Sequence, residues 1–193
     1  MTELHRIFIA VEVAPALQQA IGETERRLDV AGAKLRWTKP TNLHFTLRFL
    51  GEIPLAQVAK AKVATREAAE GVHAFSIGLA SMGAFPSVQR PRVVWVGVGE
   101  GRESMQALAE RVDDRLTHYR FPVEPRQFQA HLTLARVRDG REWANLVRAL
   151  AQYKDVVVGS QEVGSVVVME SHLSPRGPSY TRVEEVRLHP YEK

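Results

Sequence analysis

The chain carries one short pattern twice, His44-Phe45-Thr46-Leu47 and His131-Leu132-Thr133-Leu134, each inside an apolar run of strand-like composition. Along an extended strand successive side chains alternate between faces. His44 and Thr46 therefore share one face, Phe45 and Leu47 the other, and His131 and Thr133 repeat the arrangement against Leu132 and Leu134. Each copy calls for a strand with one apolar face and, on the other, an imidazole beside a hydroxyl.

Two such strands set face to face supply two imidazoles, which near neutral pH can serve as one acid and one base, and two hydroxyls able to donate to an oxyanion. That set suits a phosphodiester. In-line attack at phosphorus needs a proton taken from the nucleophile on one side and given to the leaving oxygen on the other, with donors holding the equatorial oxygens between them. Neither a metal nor a covalent nucleophile is required. Metal binding by the histidines is the other chemical reading, but no nearby carboxylate has ligand spacing and threonine is a poor zinc ligand. Either histidine taken singly reads as an ordinary half-buried one bonded within its sheet; the repetition is what argues for chemistry.

The surrounding sequence is roughly duplicated as well. In the first half a strand near His5–Val13 leads to an amphipathic helix near Ala14–Ala31, opened at Pro15 and closed around Gly32. The motif strand near Leu43–Leu50, a helix near Leu55–Glu70 and a strand near Ala74–Ala80 follow. The second half repeats the order, with a strand near Arg92–Val98, a helix near Arg102–Tyr119, the motif strand near Gln129–Val137 and a helix near Glu142–Gln152. Val156–Val158, Val163–Glu170 and Ser179–Leu188 complete the sheets, and Ser174-Pro175-Arg176-Gly177-Pro178 turns between the last two. Helices separated by strand pairs predict an α+β fold with largely antiparallel sheets, in two lobes of similar build.

With 193 residues, the chain is long enough to bury a core without staples. It has no cysteine, which excludes a disulfide scaffold, a thiolate nucleophile and cysteine-based metal sites. A net charge of +4, from 26 basic and 22 acidic residues, permits contact with RNA ends without amounting to a basic coat. Arginine makes up 20 of the 26 basic residues, and its fork matches phosphate geometry. Codon bias is the plainer explanation of that excess. No stretch approaches the ~20 apolar residues of a membrane helix, and the N-terminus runs from Met1 directly into a strand-like segment. A cytoplasmic monomer with no membrane contact is the expectation.

Several segments together resemble the two-histidine (2H) phosphoesterases, in particular the LigT-like RNA 2',3'-cyclic phosphodiesterases, also called 2'-5' RNA ligases. Arg6-Ile7-Phe8-Ile9-Ala10 is similar to the opening strand of that family, the run from Asn42 to Gly51 to its first motif, and Pro91-Arg92-Val93-Val94-Trp95 to its middle strand. The run from Phe128 to Arg136 is similar to its second motif, and that from Ser171 to Tyr180 to its C-terminal segment. The resemblance implies a single bilobal domain over residues 1–193, with lobes near 1–90 and 91–193, room for strands to exchange between them, outer helices and a central cleft. It implies metal-free, cofactor-free hydrolysis of RNA 2',3'-cyclic phosphate ends, or of nucleoside 2',3'-cyclic phosphates, to 2'-phosphomonoesters. His131 would be base to the attacking water and His44 acid to the departing 3'-oxygen, with Thr46 and Thr133 on the non-bridging oxygens. The two motifs are nearly equivalent, so sequence alone does not orient these roles. The alternatives are 2'-5' RNA ligation by the same site, or a non-catalytic binder of RNA ends.

Other candidates are weaker. Arg136 resembles a phosphate-contacting arginine of the family, yet strand parity sets it opposite His131 and Thr133 unless the strand bulges. Arg48 has the parity of His44 and so would border the cleft, or else be a solvated strand-end arginine. Phe8 and Trp95 are candidates for stacking a base, against the commoner role of strand aromatics in a core. Tyr180 resembles a family tyrosine near the cleft, with a structural hydrogen bond as its other reading. His5, His73, His118, His172 and His189 repeat no pattern and are expected at the surface.

Overall fold

The computed structural model describes residues 3–29, 34–138, 143–175 and 177–191. The expected helix end at Ala31 and Gly32, the helix start at Glu142 and Arg176 of the turn lie outside them. Nine strands and four α-helices are assigned among the described residues. In chain order they are β1 (Leu4–Glu12), α1 (Pro15–Asp29), β2 (Leu35–Trp37), β3 (His44–Pro54), α2 (Leu55–Ala69), β4 (Phe75–Ser87) and β5 (Arg90–Val98). There follow α3 (Arg102–His118), β6 (His131–Val137), α4 (Trp143–Gln152), β7 (Val157–Val163), β8 (Ser165–Ser174) and β9 (Gly177–Arg187). A 3-10 turn, Pro40–Asn42, precedes β3.

The helices begin where the sequence frees the backbone from extended pairing. Pro15 opens α1, and Pro54 precedes α2, where an N–H would have had no partner. Their buried faces follow helical spacing: Val58, Ala61, Ala64 and Ala68 in α2, and Met105, Leu108, Ala109, Val112 and Leu116 in α3.

The strands form two antiparallel sheets, ordered β3-β1-β8-β9 and β2-β6-β5-β4-β7. Neither comes from one half of the sequence. The C-terminal hairpin β8-β9 completes the sheet of β1 and β3, while β2 and β4 join the sheet of β5, β6 and β7. α2 lies on the first sheet, with α3 beside it reaching β3 and β4, whereas α1 and α4 contact β7 and β5 of the second. The main core runs between sheets and helices, from Ile7, Ile9 and Val11 of β1 to Val94, Val96 and Val98 of β5. On the opposite face of the first sheet, Phe8, Ala10, Val167 and Met169 make a small second cluster against which Tyr180 packs. Among the described residues no helix is long and apolar enough to cross a membrane.

Each motif strand carries a bulge just after its threonine. In β3 the pairing steps from Ala10↔Thr46 to Ile9↔Arg48, leaving Leu47 over. In β6 it steps from Trp95↔Thr133 to Val94↔Ala135, leaving Leu134 over. One extra residue inverts the parity of everything that follows. Leu47 and Arg48 are consequently both buried, as are Leu134 and Ala135.

The bulge corrects the expectation for Arg48, which neither borders the cleft nor lies in solvent. It is 7% exposed, pairs with Glu124 (2.9 Å) and Asp113 (3.2 Å), and donates to the carbonyl of Pro122. It thus fastens the segment leading into β6 to β3. His5 is also less exposed than expected, because its Nδ1 lies 2.8 Å from Glu170. The pairing of β2 with β6 has no counterpart in the expected elements; its three residues are too few to show a period.

Replacing Arg48 by Met leaves Asp113 and Glu124 without their cation. The expected loss is about 2 kcal/mol in urea unfolding, less than for a fully buried pair because both carboxylates reach solvent. An unchanged midpoint would contradict this role.

Candidate active site

The two motif strands approach one another where the sheets meet, and their polar faces open into one cleft of about 630 Å³. His44 and Thr46 from β3 line it together with His131 and Thr133 from β6. Of the other sequence candidates, Phe8, Arg136 and Tyr180 line it too. Arg136 reaches it because the Leu134 bulge turns it to the face of His131 and Thr133. The matching position of β3, five residues after its histidine, is Phe49, which also lines the cleft. Trp95 does not line this cleft.

Both imidazoles are anchored alike. Nδ1–H of His44 donates to the carbonyl of Asn42 (2.7 Å), and Nδ1–H of His131 to that of Gln129 (2.7 Å), in each case two residues upstream. A carbonyl can only accept, so Nδ1 carries the proton and Nε2 is the ring nitrogen left to exchange protons. Both rings pack against aromatics, His44 edge-on to Tyr180 and tilted against Phe8, His131 edge-on to Phe85. Phe8 and Tyr180 stand 4.7 and 5.1 Å from His44, and Phe85 stands 5.0 Å from His131. Phe8 is 3% exposed, so it acts as a wall behind His44 and offers little face to a base.

Burial pushes the His44 pKa below its usual 6.5, opposed by the hydrogen bond to Asn42. Burial also raises the Tyr180 phenol, against the pull of Arg136 and Arg6, which keeps it a neutral donor.

The remaining lining was not singled out in the sequence. Arg6, Arg36 and Lys39 join Arg136, and among the described residues no aspartate or glutamate lines the cleft. Arg6 sits over the Phe49 ring, 4.7 Å from its centroid. Arg36 packs against Gly177, whose φ of +108° suits glycine and where a Cβ would come 2.6 Å from the Arg36 Nη2. Asn42 donates to the carbonyl of Pro178 (2.8 Å), fastening the β8–β9 turn beside the motif. The signal that could have found this wall is Lys34-Leu35-Arg36-Trp37-Thr38-Lys39, basic residues interleaved with apolar ones just ahead of the first motif. Among the described residues no group of three or more His, Asp or Glu is placed to hold a metal ion.

Two pseudo-equivalent motifs in two halves are also what a family comparison finds. The model described as LigT like phosphoesterase matches residues 11–95 and again 96–180. The chain belongs to that family. An RNA 2',3'-cyclic phosphodiesterase of Aeropyrum pernix is 38% identical to this LigT-like chain over 156 residues, covering 81% of it and 88% of the relative. One of Methanothermobacter thermautotrophicus is 33% identical over 183 residues, covering 95% and 98%. Among crystal structures, a Thermus thermophilus protein superposes with a TM-score of 0.81 at 25% identity, covering 97% of this chain and all of that one. Apo LigT of Escherichia coli gives 0.77 at 21% identity over 97% and 99%, a likeness of fold.

In an NMR titration of the free protein the His44 ring is expected to protonate below pH 6.5, because burial penalises imidazolium. Inorganic phosphate in the cleft supplies a countercharge and is expected to raise that midpoint. A free-protein midpoint above 6.5 would contradict the electrostatics described.

Proposed function

We propose that the chain is a metal-independent hydrolase of RNA 2',3'-cyclic phosphate ends that leaves a 2'-phosphomonoester. The observation that carries this reading is the convergence of His44, Thr46, His131 and Thr133 on one cleft walled by cations. The activity for which the two relatives are named supports it.

The cyclic phosphate seats with its non-bridging oxygens toward the Thr46 and Thr133 hydroxyls, and Arg136 adds a charge-assisted contact. Nε2 of His131 takes a proton from water as its oxygen forms a bond to phosphorus. The P–O3' bond breaks in line, and Nε2 of His44 gives its proton to the departing 3'-oxygen. One ring opens and one water is consumed, and the histidines end with their protonation states swapped; His131 then gives up its proton to solvent and His44 regains one before the next turnover.

Burial alone keeps His44 neutral, so the anionic substrate is what stabilises its acidic form. Arg6, Arg36 and Lys39 exceed the needs of one phosphodiester, which favours an RNA end with further phosphates over a lone cyclic nucleotide. Phe49, 45% exposed beside Arg6, offers the face on which a base can stack. We take the enzyme to work as a monomer in the cytoplasm, a location that goes with an RNA substrate.

With a nucleoside 2',3'-cyclic phosphate, product analysis is expected to show the 2'-phosphate; a 3'-phosphate product would overturn the proposed regiochemistry. Alanine at either histidine is expected to lower kcat about 10²-fold or more with end-binding largely kept. If both variants turned over at the parental rate, the mechanism would be wrong. Activity is expected to survive excess EDTA, and a loss restored by a divalent ion would argue for a metal.

A further inference from the structure

The two histidines are anchored by the same main-chain bond, but the residues that supply it are not alike. Asn42 closes the 3-10 turn ahead of β3: its N–H donates to the carbonyl of Lys39 (2.8 Å), and that of Leu43 to the carbonyl of Pro40 (3.2 Å). Its side chain is half-buried and donates to the Pro178 carbonyl on the other side of the cleft mouth (2.8 Å). Gln129 stands before β6 in an irregular stretch, and its exposed side chain makes no hydrogen bond among the described residues. The main chain of Gln129 holds His131; nothing from a distant segment holds Gln129 through its amide.

The Asn42 bond closes a circuit around His44. Pro178 lies in β9 two residues before Tyr180, whose ring stands edge-on to His44 with centroids 5.1 Å apart. Tyr180 is itself edge-on to Phe8 at 5.0 Å, and Phe8 packs on the His44 ring. The Asn42 carbonyl thus holds Nδ1 of His44, the imidazole rests on Tyr180, the chain runs back from Tyr180 to Pro178, and the Pro178 carbonyl holds the Asn42 amide. Cut at the amide, the circuit leaves the ring between a carbonyl and a phenol that are no longer fixed to each other. An amide is the group this position needs, since a carboxylate would set lone pairs against the Pro178 carbonyl.

We infer that Asn42 is a positioning residue for His44 and not for His131, joining the β8–β9 hairpin to the imidazole that faces the leaving oxygen. The inference deepens the reaction proposed above and rests on its assignment of His44 as the acid. That proton moves only as the P–O3' bond breaks, so a loosened ring costs the transition state and not the bound substrate. Asn42 also borders the cleft, and a role in holding substrate would show in KM instead. The two motifs are nearly equivalent in sequence, and this side-chain bond is what separates the support of one imidazole from that of the other.

The test reads Asn42→Ala in two ways, by turnover of adenosine 2',3'-cyclic phosphate and by nitrogen NMR of the neutral imidazoles in the free protein. The variant is expected to lose about tenfold or more in kcat with KM within about threefold of the parent. In the parent both rings are expected as the Nδ1–H tautomer; in the variant His44 moves toward a mixture of tautomers while His131 keeps its own. If Asn42→Ala fails to fold, Asn42→Ser carries the comparison, its hydroxyl being too short to reach the Pro178 carbonyl. A kcat within about twofold of the parent, a loss carried in KM, or a His44 tautomer that stays as it was or shifts together with that of His131 would overturn the inference. A parent inert toward the cyclic phosphate would overturn the hydrolase reading, and the ring measurement would still decide the anchoring.

Discussion

One surplus residue in each motif strand, Leu47 in β3 and Leu134 in β6, governs what the cleft contains. Before it, a histidine and a threonine alternate with buried apolar side chains. After it, the parity inverts: two consecutive residues go to the core, and the next, Phe49 or Arg136, comes back to the cleft. Each strand thereby presents three cleft residues over six positions while keeping its apolar anchor. In β3 the second buried position holds Arg48, whose charge is met by Asp113 and Glu124, and that pairing secures the approach to β6. The bulges therefore connect the geometry of both histidines to the packing beneath them.

The chemistry of the cleft rests on a second repeated device. A backbone carbonyl two residues upstream binds Nδ1 of each imidazole, fixing one tautomer without recourse to a carboxylate. The charged side chains of the wall are all cationic among the described residues, which favours an anionic ligand, and burial separately disfavours imidazolium at His44. In the proposed reaction, the charge of the bound phosphate offsets that burial, so substrate binding and the acidic state of His44 are coupled. A carboxylate partner would have charged the ring in advance and weakened the attraction for phosphate.

How much of this the sequence discloses varies with how local the determining physics is. Strand alternation alone places His44 with Thr46 and His131 with Thr133. It fails at Arg48 and leaves Arg136 undecided, because a bulge depends on how the neighbouring strand is paired. The α+β class, the antiparallel sheets and the helices opened by Pro15 and Pro54 follow from period and punctuation. The β2 strand does not, since Leu35–Trp37 forms only by pairing with β6, and with it went the cationic wall of Arg36 and Lys39. Which strands cross between sheets is likewise a tertiary matter; nothing in the run from Ser165 to Ser174 announces β1 as its neighbour. Trp95 reads as a core aromatic by composition, and only Gly83 across the strand shows why its ring lies flat.

The central claim is that two imidazoles, one protonated and one not, act on the same phosphorus. It is tested most directly by the pH dependence of kcat/KM for a nucleoside 2',3'-cyclic phosphate, in the parent and in each single-histidine variant. The parent is expected to give a bell, with one limb lost in the His44→Ala variant and the other in the His131→Ala variant, measured on their residual rates. A rate flat between about pH 5 and 8, or an intact bell in both variants, would contradict it.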